Sequence, residues 1–162
     1  MKFIKSISTS IFTLLLCTAC ENDLEQVTYS SENAIPSTLS SLNDNYILES
    51  KNASQEAFTL TWSHPDLGYQ ASVINSLEMD VKDKNFANKV ILASSKTDVS
   101  HTITVSDLNS KIMALLKVYE METAPIGIEF RISSSISAAA DTLYSNLSLI
   151  HISEPTRPRL IS

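Results

Sequence analysis

The residue with the clearest chemistry in this chain is Cys20. Lys2 and Lys5 give a positive start, Ile7 to Leu16 an apolar run broken only by small hydroxyl residues, and Leu16-Cys17-Thr18-Ala19-Cys20 ends in small residues before a thiol. That order reads as a bacterial lipoprotein signal, with cleavage before Cys20 and acylation of its sulfur. The apolar run falls short of the roughly 20 residues a transmembrane helix needs, so the expected product is tethered to a membrane it does not cross. Cys17 stands where the lipobox usually carries Leu; the alternative is an ordinary secretory signal cleaved near Ala19. Both cysteines lie in this region. The mature chain can therefore form no internal disulfide and must be held by its core alone.

No other group of residues composes a reaction centre. His64 and Asp66 flank Pro65, and His101 lies far along the chain, but no serine sits in a nucleophile-elbow motif beside them. Asp80, Asp83 and Asn85 depart from calcium-loop spacing and lack its glycine, so they read as an acidic hairpin turn. Glu78 and Asp80, two apart on one strand face, are expected to be solvated charges rather than a glycosidase pair. There is no Cys/His set for zinc, and no cofactor is expected. Trp62, the single tryptophan, alternates with Phe58 and Leu60 and is expected in the core. Tyr69, in Gly68-Tyr69-Gln70, is the loop aromatic best placed for a ligand.

Two segments stand apart from the fold. Glu21 to about Ser37 is polar and acidic at its start, and reads as a flexible spacer, residues 20–37. At the other end, Leu147 to Arg157 (Leu-Ser-Leu-Ile-His-Ile-Ser-Glu-Pro-Thr-Arg) looks like the translation of a transposase adaptor used in DNA-sequencing libraries. Residues 147–162 are accordingly read as an adaptor artefact and left out of the fold. His151, Arg157 and Arg159 then carry no functional weight, and the natural frame is expected to continue past Asn146. Between the signal and that tail, eight Lys/Arg face seventeen Asp/Glu. Such acidity, without a basic cluster, excludes a nucleic-acid partner.

What must position any site is a set of short strands. Tyr46 to Leu48, Phe58 to Trp62, Ala71 to Val81, Lys89 to Ser94, Val99 to Val105, Pro125 to Ser135 and Thr142 to Asn146 carry strand patterns. Asn75 is an unexplained polar member of the face shared by Val73, Leu77, Met79 and Val81. Leu108, Ile112, Leu115 and Leu116 lie at helical spacing, with Ser106 or Asp107 as the expected cap. The sum is an all-β, immunoglobulin/fibronectin-III-like β-sandwich over residues 38–146, with one short connecting helix.

Several strings in order carry a likeness: Phe58-Thr59-Leu60-Thr61-Trp62, Asp66 to Ala71, Leu77-Glu78-Met79-Asp80, Asn85-Phe86-Ala87, Leu108-Asn109, Glu129-Phe130-Arg131 and Tyr144-Ser145-Asn146. Together they resemble the N-terminal domain of SusE-family lipoproteins from the starch-utilisation operons of Bacteroidetes, although Asn75 stands where the family strand usually has an aromatic. Glu21 to Glu25 likewise resembles the acidic surface-export tag of such bacteria. The resemblance implies a non-enzymatic spacer module at the outer-membrane surface, beside a TonB-dependent transporter complex, with glycan bound by later domains. Only Cys20, as the lipid attachment site, transfers residue by residue. The rival readings are an adhesin or pilus-associated sandwich, and the anchor module of a glycoside hydrolase.

Overall fold

A computed structural model describes residues 33–42, 45–122, 125–138 and 140–154. The signal segment, Cys20, most of the spacer, Arg157 and Arg159 lie outside them. Among the described residues the strands are β1 (Asn45–Ile47), β2 (Glu56–Thr61), β3 (Ile74–Val81), β4 (Val90–Ser95), β5 (Ser100–Thr104), β6 (Ile126–Ser135), β7 (Leu143–Tyr144) and β8 (Ser148–Glu154). The α-helix α1 (Val105–Val118) joins β5 to β6. The larger sheet runs β1-β8-β6-β3-β4, with β7 also on β6; the smaller pairs β2 with β5. The two layers make an all-β sandwich with a short helix. Its core joins Phe58, Leu60 and Ile103 of the small sheet to Leu77, Met79, Ile128, Phe130 and Ile132 of the large one. Phe58 meets Phe130 edge-on across the layers, ring centroids 5.6 Å apart.

Period-two alternation accounts for this. On β6, Ile126, Ile128, Phe130 and Ile132 are buried while Gly127, Glu129 and Arg131 face away. Trp62 is buried, as its alternation predicts, and bridges Leu39. The helix presents Leu108, Ile112, Leu115 and Leu116 to the core. Its cap is neither Ser106 nor Asp107: the Asp107 N–H donates to Thr104 Oγ1 at 3.3 Å, so the helix begins directly where β5 ends. It closes with Glu120 N–H on the Lys117 carbonyl and Met121 N–H on that of Leu116, which puts Glu120 at φ 53°.

Two boundaries differ from the sequence reading. The fold begins before residue 38: Ile35 and Asp66 exchange backbone hydrogen bonds, and Ser37 is buried. Ser148–Glu154, left out of the fold on sequence grounds, forms a strand between β1 and β6, with Ile150 and Ile152 fully buried. Its alternation of Ser148, Ile150 and Ile152 against Leu149 and His151 meets the demands of that position.

Candidate functional site

The outward face of the large sheet gathers the charged residues. Register sets Glu78 of β3 opposite Arg131 of β6, and Glu78 is only 2 % exposed. Lys89 Nζ lies 2.6 Å from Glu78 Oε1 and Arg131 Nε 2.8 Å from Oε2, while Ser133 Oγ donates to Oε1 at 2.8 Å. Burial alone would raise the Glu78 carboxyl; the donors Lys89, Arg131 and Ser133, with the Lys89 charge, outweigh it and hold the group below its ordinary value. The Arg131 guanidinium is stacked between Phe86 and Tyr144, 4.0 Å from each ring centroid. An ionised carboxylate saturated by three donors has no proton to give.

Asp80, one pleat along, is also saturated. Its Oδ1 accepts from Val81 N–H (2.7 Å), and its Oδ2 from Tyr119 O–H (2.8 Å) and Asn88 N–H (3.2 Å). Lost hydration, and next the bond to Asp80, raise the Tyr119 hydroxyl above its usual range. Asp80 thus ties the helix end to the β3–β4 turn, in which Asp83, Asn85 and Phe86 adopt left-handed backbone. The acidic hairpin turn is as expected. The expectation of solvated charges at Glu78 and Asp80 is corrected: strand pairing brings donors to both, and both are buried.

Asn75 has a structural account as well. Ser134 Oγ donates to Asn75 Oδ1 (2.7 Å), Ser134 Oγ meets Ser37 Oγ (3.1 Å), and Asn75 Nδ2 lies 3.3 Å from His64 Nδ1. This polar thread joins the incoming chain to two strands of the sheet. His64 is engaged there, while His101 sits on β5. Among the described residues, no three His, Cys, Asp or Glu side chains assemble into a metal site, and no helix is long and apolar enough to cross a membrane.

Tyr69 sits elsewhere. Asp66 Oδ1 accepts the Gly68 N–H at 2.9 Å, and the turn, with Gly68 at φ 74°, carries Tyr69 to an open depression of about 430 Å³. Pro65, Leu67 and the Gln70–Val73 segment complete its wall. The structure does not bring Tyr69 together with Glu78, Asp80 or Arg131. Sequence reasoning missed the Arg131 stack because its partners Phe86, Glu78 and Tyr144 come from three separate elements.

A family model described as SusE outer membrane protein matches residues 22–132, well over half the chain. Comparisons with curated proteins and with solved structures found no match.

Proposed function

The chain belongs to the SusE outer membrane protein family, and from that premise we propose that this segment is the N-terminal spacer module of a surface-anchored accessory lipoprotein. It is an outer-membrane protein of a starch-utilisation-type system. In the proposal, acylated Cys20 fixes one end in lipid, the stretch from there to the first docked residue, Ile35, gives reach, and the sandwich projects glycan-binding domains beside a TonB-dependent transporter complex. Its role is non-enzymatic, with Tyr69 the residue offered for any direct glycan contact. The tail from Leu147 is taken as adaptor-derived, a reading that long-read sequencing of genomic DNA across the Asn146 codon tests.

The observation that carries this reading is where the family match starts, at residue 22, just past Cys20. The way the chain enters the fold supports it. Ser40 N–H bonds the Thr61 carbonyl and Ser63 N–H the Thr38 carbonyl on one layer, while the Asn146 amide holds the backbone N–H and carbonyl of Leu39 on the other. Load arriving through the spacer would pass into both sheets. Replacing Cys20→Ala should move the protein from the membrane fraction to the soluble fraction. Unchanged membrane partitioning of the variant would refute the anchor.

A further inference from the structure

Glu78 accounts for only part of Arg131. A guanidinium carries five N–H donors in one plane. Among the described residues, that of Arg131 makes one hydrogen bond, from Nε to Glu78 Oε2 at 2.8 Å. Its two terminal nitrogens are not buried orphans, because Trp62 Nε1 is the one buried side-chain nitrogen or oxygen without a partner among the described residues. They therefore reach solvent, through the 17 % of the side chain that is exposed.

The surroundings fix that donor edge and give it a charge to offer. Phe86 and Tyr144 close the two faces of the guanidinium at 4.0 Å each, which leaves approach in its own plane. The buried Glu78 carboxylate pins Nε, so the fork is already ordered before any ligand arrives and little rotamer freedom is left to lose. Lys89 and Arg131 together set two positive charges on the one Glu78 carboxylate. Glu129, the next outward residue of β6, stands opposite Asp80 rather than Glu78. Ile91 lies across from Glu78 and Tyr144 across from Ser133, and both expose apolar surface beside the cluster.

We propose that the terminal nitrogens of Arg131 form a binding site for a ligand carboxylate on the outward face of the large sheet. The ligand group lies in the guanidinium plane and accepts two parallel N–H bonds, the arrangement in which a flat, two-oxygen anion matches the fork. Lys89 adds attraction without touching the ligand, and the rings of Phe86 and Tyr144 keep water off the two faces. Glu78 is a positioning residue: it aims the fork and holds it. The inference stands apart from the spacer reading and from Tyr69, which lies elsewhere on the molecule.

The test titrates the full chain with sodium glucuronate at constant ionic strength, while nitrogen NMR follows the Arg131 Nε–H. Saturation with a Kd of about 1 mM is expected. The neutral methyl ester of the same sugar should give no saturable shift. Arg131→Lys, which keeps the charge but not the fork, should weaken binding about tenfold. Tyr144→Ala leaves the Glu78 bond in place and should weaken binding about threefold, by opening one face of the guanidinium to water. N-acetylalanine presents the same group as a peptide end, and the tighter of the two acids names the source, an acidic sugar or a chain terminus. No saturable shift with either acid, an ester as effective as the acid, or unchanged binding by folded Arg131→Lys would each overturn the proposal.

Discussion

Asn146 grips Leu39 with both ends of its amide, Leu39 N–H donating to Oδ1 at 2.8 Å and Nδ2 donating to the Leu39 carbonyl at 2.9 Å. The side chain imitates a neighbouring strand across 107 residues of sequence. Ser133 pairs Tyr144 but Phe130 pairs Ser148, and the extra residue this leaves between β7 and β8 is what turns it there. Asn146→Ala should cost about 2–3 kcal/mol, because Leu39, 2 % exposed, loses both backbone partners. Urea midpoints at unchanged m would show it; a change below 0.5 kcal/mol, roughly the floor for one hydrogen bond, would contradict the clamp.

Glu78→Gln should destabilise by about 3 kcal/mol near neutral pH, because Arg131 and Lys89 lose their shared counter-charge. In the folded chain the donors Lys89, Arg131 and Ser133 hold the Glu78 carboxyl below its ordinary value, against the opposing effect of burial. Its contribution is therefore complete above that value and is lost as pH falls through the lower folded value. Unfolding curves from pH 7 downward should show the gap between parent and variant closing in acid. A gap that stays constant would show that the carboxylate charge is not what matters.

Arg131→Lys keeps the charge but not the flat guanidinium between Phe86 and Tyr144. The expected loss is about 1 kcal/mol. A double-mutant cycle with Tyr144→Ala isolates the stacking part, and a coupling near zero would remove it from the account.

Glu120 pays for the left-handed turn that ends α1, at φ 53°. Glu120→Gly should raise stability by about 1 kcal/mol, since glycine adopts that backbone without a steric penalty. The residue is exposed, so no packing is lost. A lower melting temperature in the variant would mean that the helix end is held by something other than this turn.

Fold class was legible because alternation is a local property. Phe58, Leu60 and Trp62, or Ile126 through Ile132, declare an inward face without any knowledge of their partners. The helix was legible for the same reason, although its cap lay two or three residues earlier than expected, since Thr104 ends a strand and caps a helix at once. Tyr69 could be picked out by its glycine turn. Its depression could not, because that wall is made by how the Pro65–Val73 segment folds on itself.

By itself the sequence determined the acidic balance, the two-residue periodicity and the resemblance that the family match supports, and it alone carries the proposal of acylation at Cys20. Each of these depends on residues close together in the chain. Tertiary structure alone decided that Glu78 and Asp80 are buried and saturated, that Asn75 is satisfied by Ser134, and that Asn146 holds Leu39. It also decided that Ser148–Glu154 occupies a place in the sheet. Those outcomes turn on which strands pair and in what register, over separations of 53 to 107 residues in the case of Glu78 with Arg131, Asn75 with Ser134 and Leu39 with Asn146. A hydrogen-bonding side chain shows what it can bond. Only the fold determines which partner the register brings to it.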